Sequence, residues 1–319
     1  MVSLSSAALS ARLGRRGGRV PAGRRVGRHP GAAFTLLSPW LIGIVGLTLG
    51  PMIASLVLSF TDYDLLSAPT FVGGANYARM LDDPRLAQSL GVTSTYVAIA
   101  VPLKTTCALL IAVVLARGVR LIGVYRAAFY LPSLLGASVA IAILWRLVFG
   151  SDGIFNAFLG MFGVEGQSWV STPDTALFTL IALSVWQFGG PMVIFLAALL
   201  QVPAELQEAA AIDGAGPVRR FARITVPLIT PVIFFNLVLE MINSFQTFTP
   251  SYIISGGTGG PADSTLLYSL YLYLEAFTKF RMGYASAMAW VLLLIIGLVT
   301  ALLFWTSRRW VFYADSGER

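Results

Sequence analysis

Residues Glu208–Pro231 read EAAAIDGAGPVRRFARITVPLITP. Two acids, a run of alanines, a glycine turn and three arginines stand together here, between stretches that stay apolar for twenty or more residues. The apolar run before this island, Ala176–Leu200, and the run after it, Leu228–Ile254, are each long enough to cross a hydrocarbon layer about 30 Å thick, which takes about 20 helical residues. The island is therefore a loop between two membrane spans, and the side of the membrane it occupies orients the whole chain.

Composition points the same way. The chain has 319 residues, of which 56% are hydrophobic and 12% charged, whereas soluble domains carry about 45–50% apolar and about 25% charged residues. Basic residues outnumber acidic ones by 22 to 15. They fall in short clusters between apolar runs rather than on one soluble domain, which excludes a nucleic-acid partner. Cys107 stands alone in an apolar run and His29 is the one histidine. No disulfide framework, CxxC site, histidine-based zinc site or Ser/His/Asp triad can be assembled from them, so no catalytic residue and no metal or cofactor ligand is assigned and the chain is not expected to be an enzyme.

Six spans follow from the apolar runs: Phe34–Phe60, Val92–Ala116, Ala127–Phe149, Ala176–Leu200, Leu228–Ile254 and Tyr284–Thr306. The first is about twice the length of a signal-peptide core and has no small-residue cleavage site, so it reads as a retained span. Residues 1–33 read as a disordered basic cytoplasmic tail, its arginines near anionic lipid headgroups. Residues 34–313 form the membrane domain and residues 314–319 a short cytoplasmic tail. With the N-terminus inside, sixteen of the 22 basic residues face the cytoplasm, and the positive-inside rule puts both termini and the Glu208–Pro231 island there. Among the outer loops, Ser264–Phe280 is too short and polar to span. It reads as a helix dipping into the outer interface with Tyr268, Tyr271, Tyr273 and Phe277 among the headgroups.

Within the island, Ala204–Ile212 is a short helix after Pro203, Gly214 ends it, and Gly216-Pro217 starts a second short helix through Phe221 and Ile224. Ala209, Ala210 and Ala211 offer a smooth surface flanked by Glu208 and Asp213. From the residues alone two readings stand: a rigid knob for a soluble partner, or an amphipathic helix resting on headgroups.

The stretch resembles the EAA loop of ABC importer permeases. Glu208, Ala209, Ala210, Asp213, Gly214, Ala215, Phe221, Ile224, Pro227 and Pro231 stand where that pattern asks, and Val226 replaces its usual Leu. FVGGANYARML (Phe71–Leu81), YRAAFYLPSLL (Tyr125–Leu135), WVSTPDTA (Trp169–Ala176) and Gly256–Phe280 resemble maltose-type sugar permeases. The resemblance implies an all-α polytopic fold of the type I importer kind, with six transmembrane helices and both termini inside, in a bacterial cytoplasmic membrane. It implies that residues 204–231 dock on a dimer of ATP-binding-cassette ATPase subunits through Glu208, Ala209, Ala210, Asp213, Gly214 and Ala215. A second permease subunit and an extracytoplasmic sugar-binding protein are implied as well. No GxxxxGK[ST] pattern occurs in the chain, so ATP and magnesium are expected on the partner ATPase.

Ionisable residues inside a bilayer are functional candidates. Lys104 and Glu240 fall at matching depth near the midplane, where an ion pair is geometrically possible. Asn236, Glu240, Asn243 and Thr247 share one helical face. With Trp186 and Gln187 on the fourth span and Trp290 on the sixth, these residues would supply hydroxyl-matching groups and aromatic faces to a sugar. Each has a plainer alternative: polar residues also hold helices in register, and tryptophans also anchor at interfaces. The function expected is import of a carbohydrate, a di- or oligosaccharide, by alternating access. The rival is an ion-coupled secondary transporter or channel acting alone; a lipid-modifying membrane enzyme would need clustered acidic motifs that the sequence lacks.

Overall fold

The computed structural model describes residues 30–312 except 119 and 137, with side chains from residue 35 onward. Both expected tails, with His29, lie outside the described residues, apart from a few positions at the inner end of the first. The chain divides into two units, Met1–Ile53 and Ala54–Arg319. The first carries helix α1 (Pro30–Gly43) and a π-helical segment (Ile44–Leu49), followed by the start of α2 (Gly50–Leu58). The stretch Thr35–Leu58 has a mean hydropathy of 2.2, as suits a membrane span.

In the second unit, a two-strand hairpin of β1 (Thr61–Asp62) and β2 (Thr70–Phe71) leads into α3 (Ala75–Leu81) and then into α4 (Pro84–Ala116), the longest helix described. Hydropathy alone starts this span at Val92. The helix begins eight residues earlier because Asp83 is an N-cap: its side chain accepts from the Arg85 and Leu86 amides, and Pro84 occupies the first turn, where a missing N–H costs nothing. One face of α4 is lined by Ala100, Ala108 and Ala112, all fully buried. These small side chains let the helices Gly189–Leu200 and Val226–Phe245 approach closely, which is how helices associate where lipid removes the hydrophobic incentive.

Three expected spans prove to be broken. The third is divided into α5 (Ile122–Leu135) and α6 (Val139–Phe149), followed by α7 (Ile154–Gly160). Gly136 takes a φ of +31° and Ser138 caps α6 by accepting from the Ile141 amide. The stretch long and apolar enough to cross here is accordingly Val139–Gly160 rather than Ala127–Phe149. The fourth is a pair, α8 (Pro173–Trp186) and α9 (Gly189–Leu200), bent by 40°. At that bend a Cβ on Gly189 would collide with the α5 backbone at Phe129 O and Tyr130 Cα.

After α10 (Ala204–Ile212) come α11 (Pro217–Arg220), a π segment (Phe221–Thr225) and α12 (Val226–Phe245). The expected separate second helix of the island is thus the first turns of one helical stretch, Pro217–Phe245. That stretch stops at Phe245, not at Ile254. The chain leaves it at Gln246 and restarts as α13 (Thr249–Ile254), which places Pro250 in a first turn instead of a helix interior. The last elements are α14 (Tyr268–Tyr273), a π segment (Leu274–Thr278) and α15 (Met282–Ser307), the last within two residues of its expected bounds. With the bent pair counted as one span, six segments among the described residues are long and apolar enough to cross a membrane.

The expected interfacial helix at Ser264–Phe280 is a packed element. Tyr268 and Tyr271 are buried; the Tyr268 hydroxyl donates to Met288 O at 2.9 Å, and the Tyr271 and Tyr284 hydroxyls both donate to Asp83 at 2.7 Å. Hydropathy could not reveal this, because the partners lie on α4 and α15. Nearby, Arg85 forms a two-pronged pair with Asp263, and the fully buried Glu275 pairs with Lys279 and Arg281. Asn76, within the FVGGANYARML stretch, donates to Ser59 O and Thr61 O at 2.9 Å and so ties the outer loop to α3.

Burial works against the Asp83 carboxylate, but the hydrogen bonds from Tyr271, Tyr284 and two amides outweigh it and hold its pKa below the usual range. The Arg85 hydrogen bond does the same for Asp263. The depressed pKa values mean that the native state favours the ionised forms, so their stabilising contribution is complete above the unfolded carboxylate pKa of about 3.9 and is lost as pH falls through the lower native values. Thermal melting in detergent should therefore fall as pH drops below about 4, and Asp83→Asn should remove part of that dependence. Gly189→Ala should destabilise by about 1–3 kcal/mol, an overpacking cost. Gly190→Ala, with nothing within 4 Å of the added carbon, should be neutral or stabilising by up to about 1 kcal/mol. Melting temperatures of the two variants measured side by side decide the point.

Candidate functional site: a polar cavity and an exposed cytoplasmic knob

The helix breaks converge on a cavity of about 470 Å3, within the about 300–1,000 Å3 typical of small-molecule sites. Its walls come from α4 (Tyr96, Lys104), the end of α5 (Ser133, Gly136), α8 (Leu180, Leu183, Ser184), the bend at Gln187, the outer part of α12 (Glu240, Asn243, Ser244) and the 246–250 segment. Two breaks are stitched together at its edge. Ser133 donates to Gln187 O at 2.9 Å and accepts from the Gly190 amide at 3.0 Å, while Gln187 Nε2 donates to Gly136 O at 3.1 Å. Carbonyls and amides freed by ending α5 and bending α8–α9 are thus satisfied by the Ser133 and Gln187 side chains of the facing break, which makes irregular backbone tolerable at this depth.

Lys104 Nζ lies 2.7 Å from Glu240 Oε2, with side chains only 13% and 11% exposed. The pair bridges α4 and α12 in the wall of the cavity. Neither group is left alone in a poorly solvated place. Asn243 is exposed toward the cavity, and its side-chain amide has no hydrogen-bond partner among the described residues. Hydroxyls of Ser133, Ser184 and Thr247, amides of Gln187, Asn243 and Gln246, and the rings of Tyr96 and Phe248 together offer donors, acceptors and flat apolar faces. Such a set suits a polyhydroxylated ligand.

Of the residues singled out in the sequence, the structure brings Lys104, Gln187, Glu240, Asn243 and Thr247 together here. It does not bring three others. Asn236 is buried, and its Nδ2 donates to Val232 O one turn back along its own helix. Trp186 turns its ring to Trp145, 5.9 Å away, and Trp290 is half-buried on α15, away from the cavity lining. Tyr96, Ser133 and Ser184 also line the cavity, and no local sequence pattern marks them, because they meet only where packing brings α4, α5 and α8 together. The Gly136 and Gly189-Gly190 punctuation was the available signal of the breaks.

On the cytoplasmic side, α10 occupies the expected Ala204–Ile212. Gly214 has a φ of +78°, the Ala215 amide donates to Ala210 O at 2.9 Å, and the Gly214 amide donates to Ala211 O at 3.0 Å. This paired closure requires a left-handed residue after the cap Asp213, which explains the DG step. Glu208, Ala209, Asp213 and Gly214 are exposed, Ala210 and Ala215 half-exposed, and Ile212 is 88% exposed. Gln207 holds the knob from behind: its Nε2 donates to Thr225 Oγ1 at 2.9 Å, and its carbonyl accepts from Arg220 at 3.2 Å. This anchoring through Gln207, Arg220 and Thr225 was not legible in the sequence.

Breaking the buried pair should cost more than removing it. Glu240→Leu leaves an unpaired ammonium and should destabilise toward the lower end of about 3–5 kcal/mol, because the cavity admits water, whereas Lys104→Met with Glu240→Leu should recover most of the loss. Chemical denaturation of the two single variants and the double variant in detergent measures the coupling.

The chain matches the model of the family described as "Binding-protein-dependent transport system inner membrane component" over residues 104–311, more than half its length. It is 53% identical to the "Probable ABC transporter permease protein YesP" of Bacillus subtilis (strain 168), over 90% of this chain and 94% of the relative. It is 34% identical to the "Lactose transport system permease protein LacF" of Rhizobium radiobacter, over 86% and 93% of the two chains. A solved bacterial alginate ABC transporter, in complex with an alginate pentasaccharide-bound periplasmic protein, contains a chain that superposes with a TM-score of 0.77 at 20% identity, covering 87% of this chain and 94% of that one. That likeness establishes a shared fold. Sequence and fold together place this chain in the family of binding-protein-dependent transport system inner membrane components, as an ABC transporter permease.

Proposed function

We infer that the chain is the permease subunit of an ATP-driven carbohydrate importer and that it contributes part of the sugar's path through the cavity at Lys104, Gln187, Glu240 and Asn243. The observation that carries the reading is the pairing of that polar, partly aromatic cavity with a rigid exposed knob on the same helical framework, since α12 and the stretch from Pro217 are continuous. Relatives named for lactose and the alginate system support a sugar as cargo, and a di- or oligosaccharide fits the cavity's size. The six spans would form half of a pore completed by a second permease subunit. A sugar-binding protein would deliver cargo from outside, as the alginate complex does for its own substrate. A dimer of ATPase subunits, holding the ATP and magnesium, would dock on Glu208, Ala209, Ala210, Asp213, Gly214 and Ala215. Motor closure moves the knob, the rigid Pro217–Phe245 stretch carries the displacement, and access to the cavity alternates.

Uptake of labelled di- and oligosaccharides by cells expressing the whole system tests this. Gly214→Val forces a side chain into the left-handed region, and Glu208→Ala removes the flanking charge; each should cut uptake by about tenfold or more, the scale of a lost coupling free energy, with unchanged amounts of protein in the membrane. Normal uptake in both variants would overturn the docking assignment. Uptake that survives ATP depletion while ion gradients are kept would favour a secondary transporter.

A further inference from the structure

We propose that the groove between the cytoplasmic ends of α4 and α9 and the knob is a binding site for one anionic phospholipid. The groove has a volume of about 850 Å3 and two unlike halves. Leu110, Val113, Leu199 and Leu200, on the ends of two membrane-crossing elements, form an apolar channel suited to an acyl chain. Arg117, at the end of α4, and Arg220, on α11, line the other half. Neither arginine has an ion-pair partner among the described residues. Arg220 spends one donor on Gln207 O, and its Nε is buried with no hydrogen-bond partner there. With one donor spent on Gln207 O, the remaining end nitrogens of the guanidinium can meet a phosphodiester oxygen in the groove. Glu208 also lines the groove; one carboxylate against two guanidiniums leaves a net positive charge. Basic pockets between spans at the cytoplasmic surface, where anionic lipids are concentrated, favour such headgroups over zwitterionic ones. The site needs that α4 and α9 cross a membrane and does not depend on the cargo; it shares Glu208 with the docking surface proposed above, so the test uses the chain alone, without an ATPase.

The full chain in nanodiscs, extracted and weighed by native mass spectrometry, tests the proposal with phosphatidylglycerol and phosphatidylcholine as probes. The wild-type chain should retain one phosphatidylglycerol in preference to phosphatidylcholine. Arg117→Ala with Arg220→Ala should weaken that retention by about thirty-fold, the combined worth of two basic side chains facing an anionic lipid. Arg220→Lys should keep most of it, and Arg309→Ala, an exposed arginine on the same face, should leave it unchanged. Excess inorganic phosphate should not displace the lipid, because the apolar channel contributes to binding. Equal retention of both lipids, full retention by the double variant at unchanged helicity, an equal loss with Arg309→Ala, or displacement by phosphate alone would each overturn the site.

Discussion

The structure turns on how closely other helices can approach α4. Its buried face carries Ala100, Ala108 and Ala112, and against those small side chains α9 and α12 settle with little bulk between the backbones. In a bilayer, where apolar surface gains little by leaving lipid, this close fit replaces the hydrophobic collapse of a soluble core. Larger packing clusters lie at each end. Met192, Phe195 and Leu196 meet α4 toward the cytoplasm, and a broader cluster around Tyr96, Leu180, Tyr268 and Met288 fills the outer half. The Asp83 cap with its two tyrosine donors fixes where α4 begins, and so which of its residues reach the midplane.

The cavity exists because three neighbouring spans are interrupted around that fixed helix. Interruptions free backbone groups that lipid cannot satisfy, and at the third and fourth spans the side chains of Ser133 and Gln187 pair with Gln187 O, the Gly190 amide and Gly136 O of the facing break. Because the breaks are confined to one region, they give one polar wall rather than polar groups scattered through hydrocarbon. The Lys104–Glu240 pair sits where α4 and α12 meet at this wall. It bridges the two helices and lines the cavity with a charged pair.

Much of this was legible along the chain. Long apolar runs showed how many segments could cross, and the distribution of arginines showed which way. The Pro203 to Gly214 segment announced its helix and its stop through residues whose backbone preferences are local, and the observed helix keeps the expected bounds. Local signals also existed where hydropathy misled: Asp83-Pro84 marks the start of α4, and Gly136 with Ser138 marks the break in the third span. A window averaged over about 19 residues blurs such punctuation because two or three polar residues hardly change its mean. Tyr268 and Tyr271 misled for another reason. An amphipathic aromatic side chain suits an interface and a buried hydrogen bond equally well, and only the presence of Met288 O and Asp83 opposite them settles which.

By itself, then, the sequence determined the all-helical membrane architecture, its orientation and the shape of the cytoplasmic knob, since each depends on hydropathy, charge or backbone preference within a few turns of chain. The tertiary structure alone decided which polar residues share a cavity. Lys104, Ser133, Gln187 and Asn243 come from separate helices, and their meeting depends on where neighbouring helices bend. Asn236 has the same spacing as its stripe, yet it points into the packed interior and bonds its own helix, because a face defined by periodicity still has to be assigned a neighbour by packing.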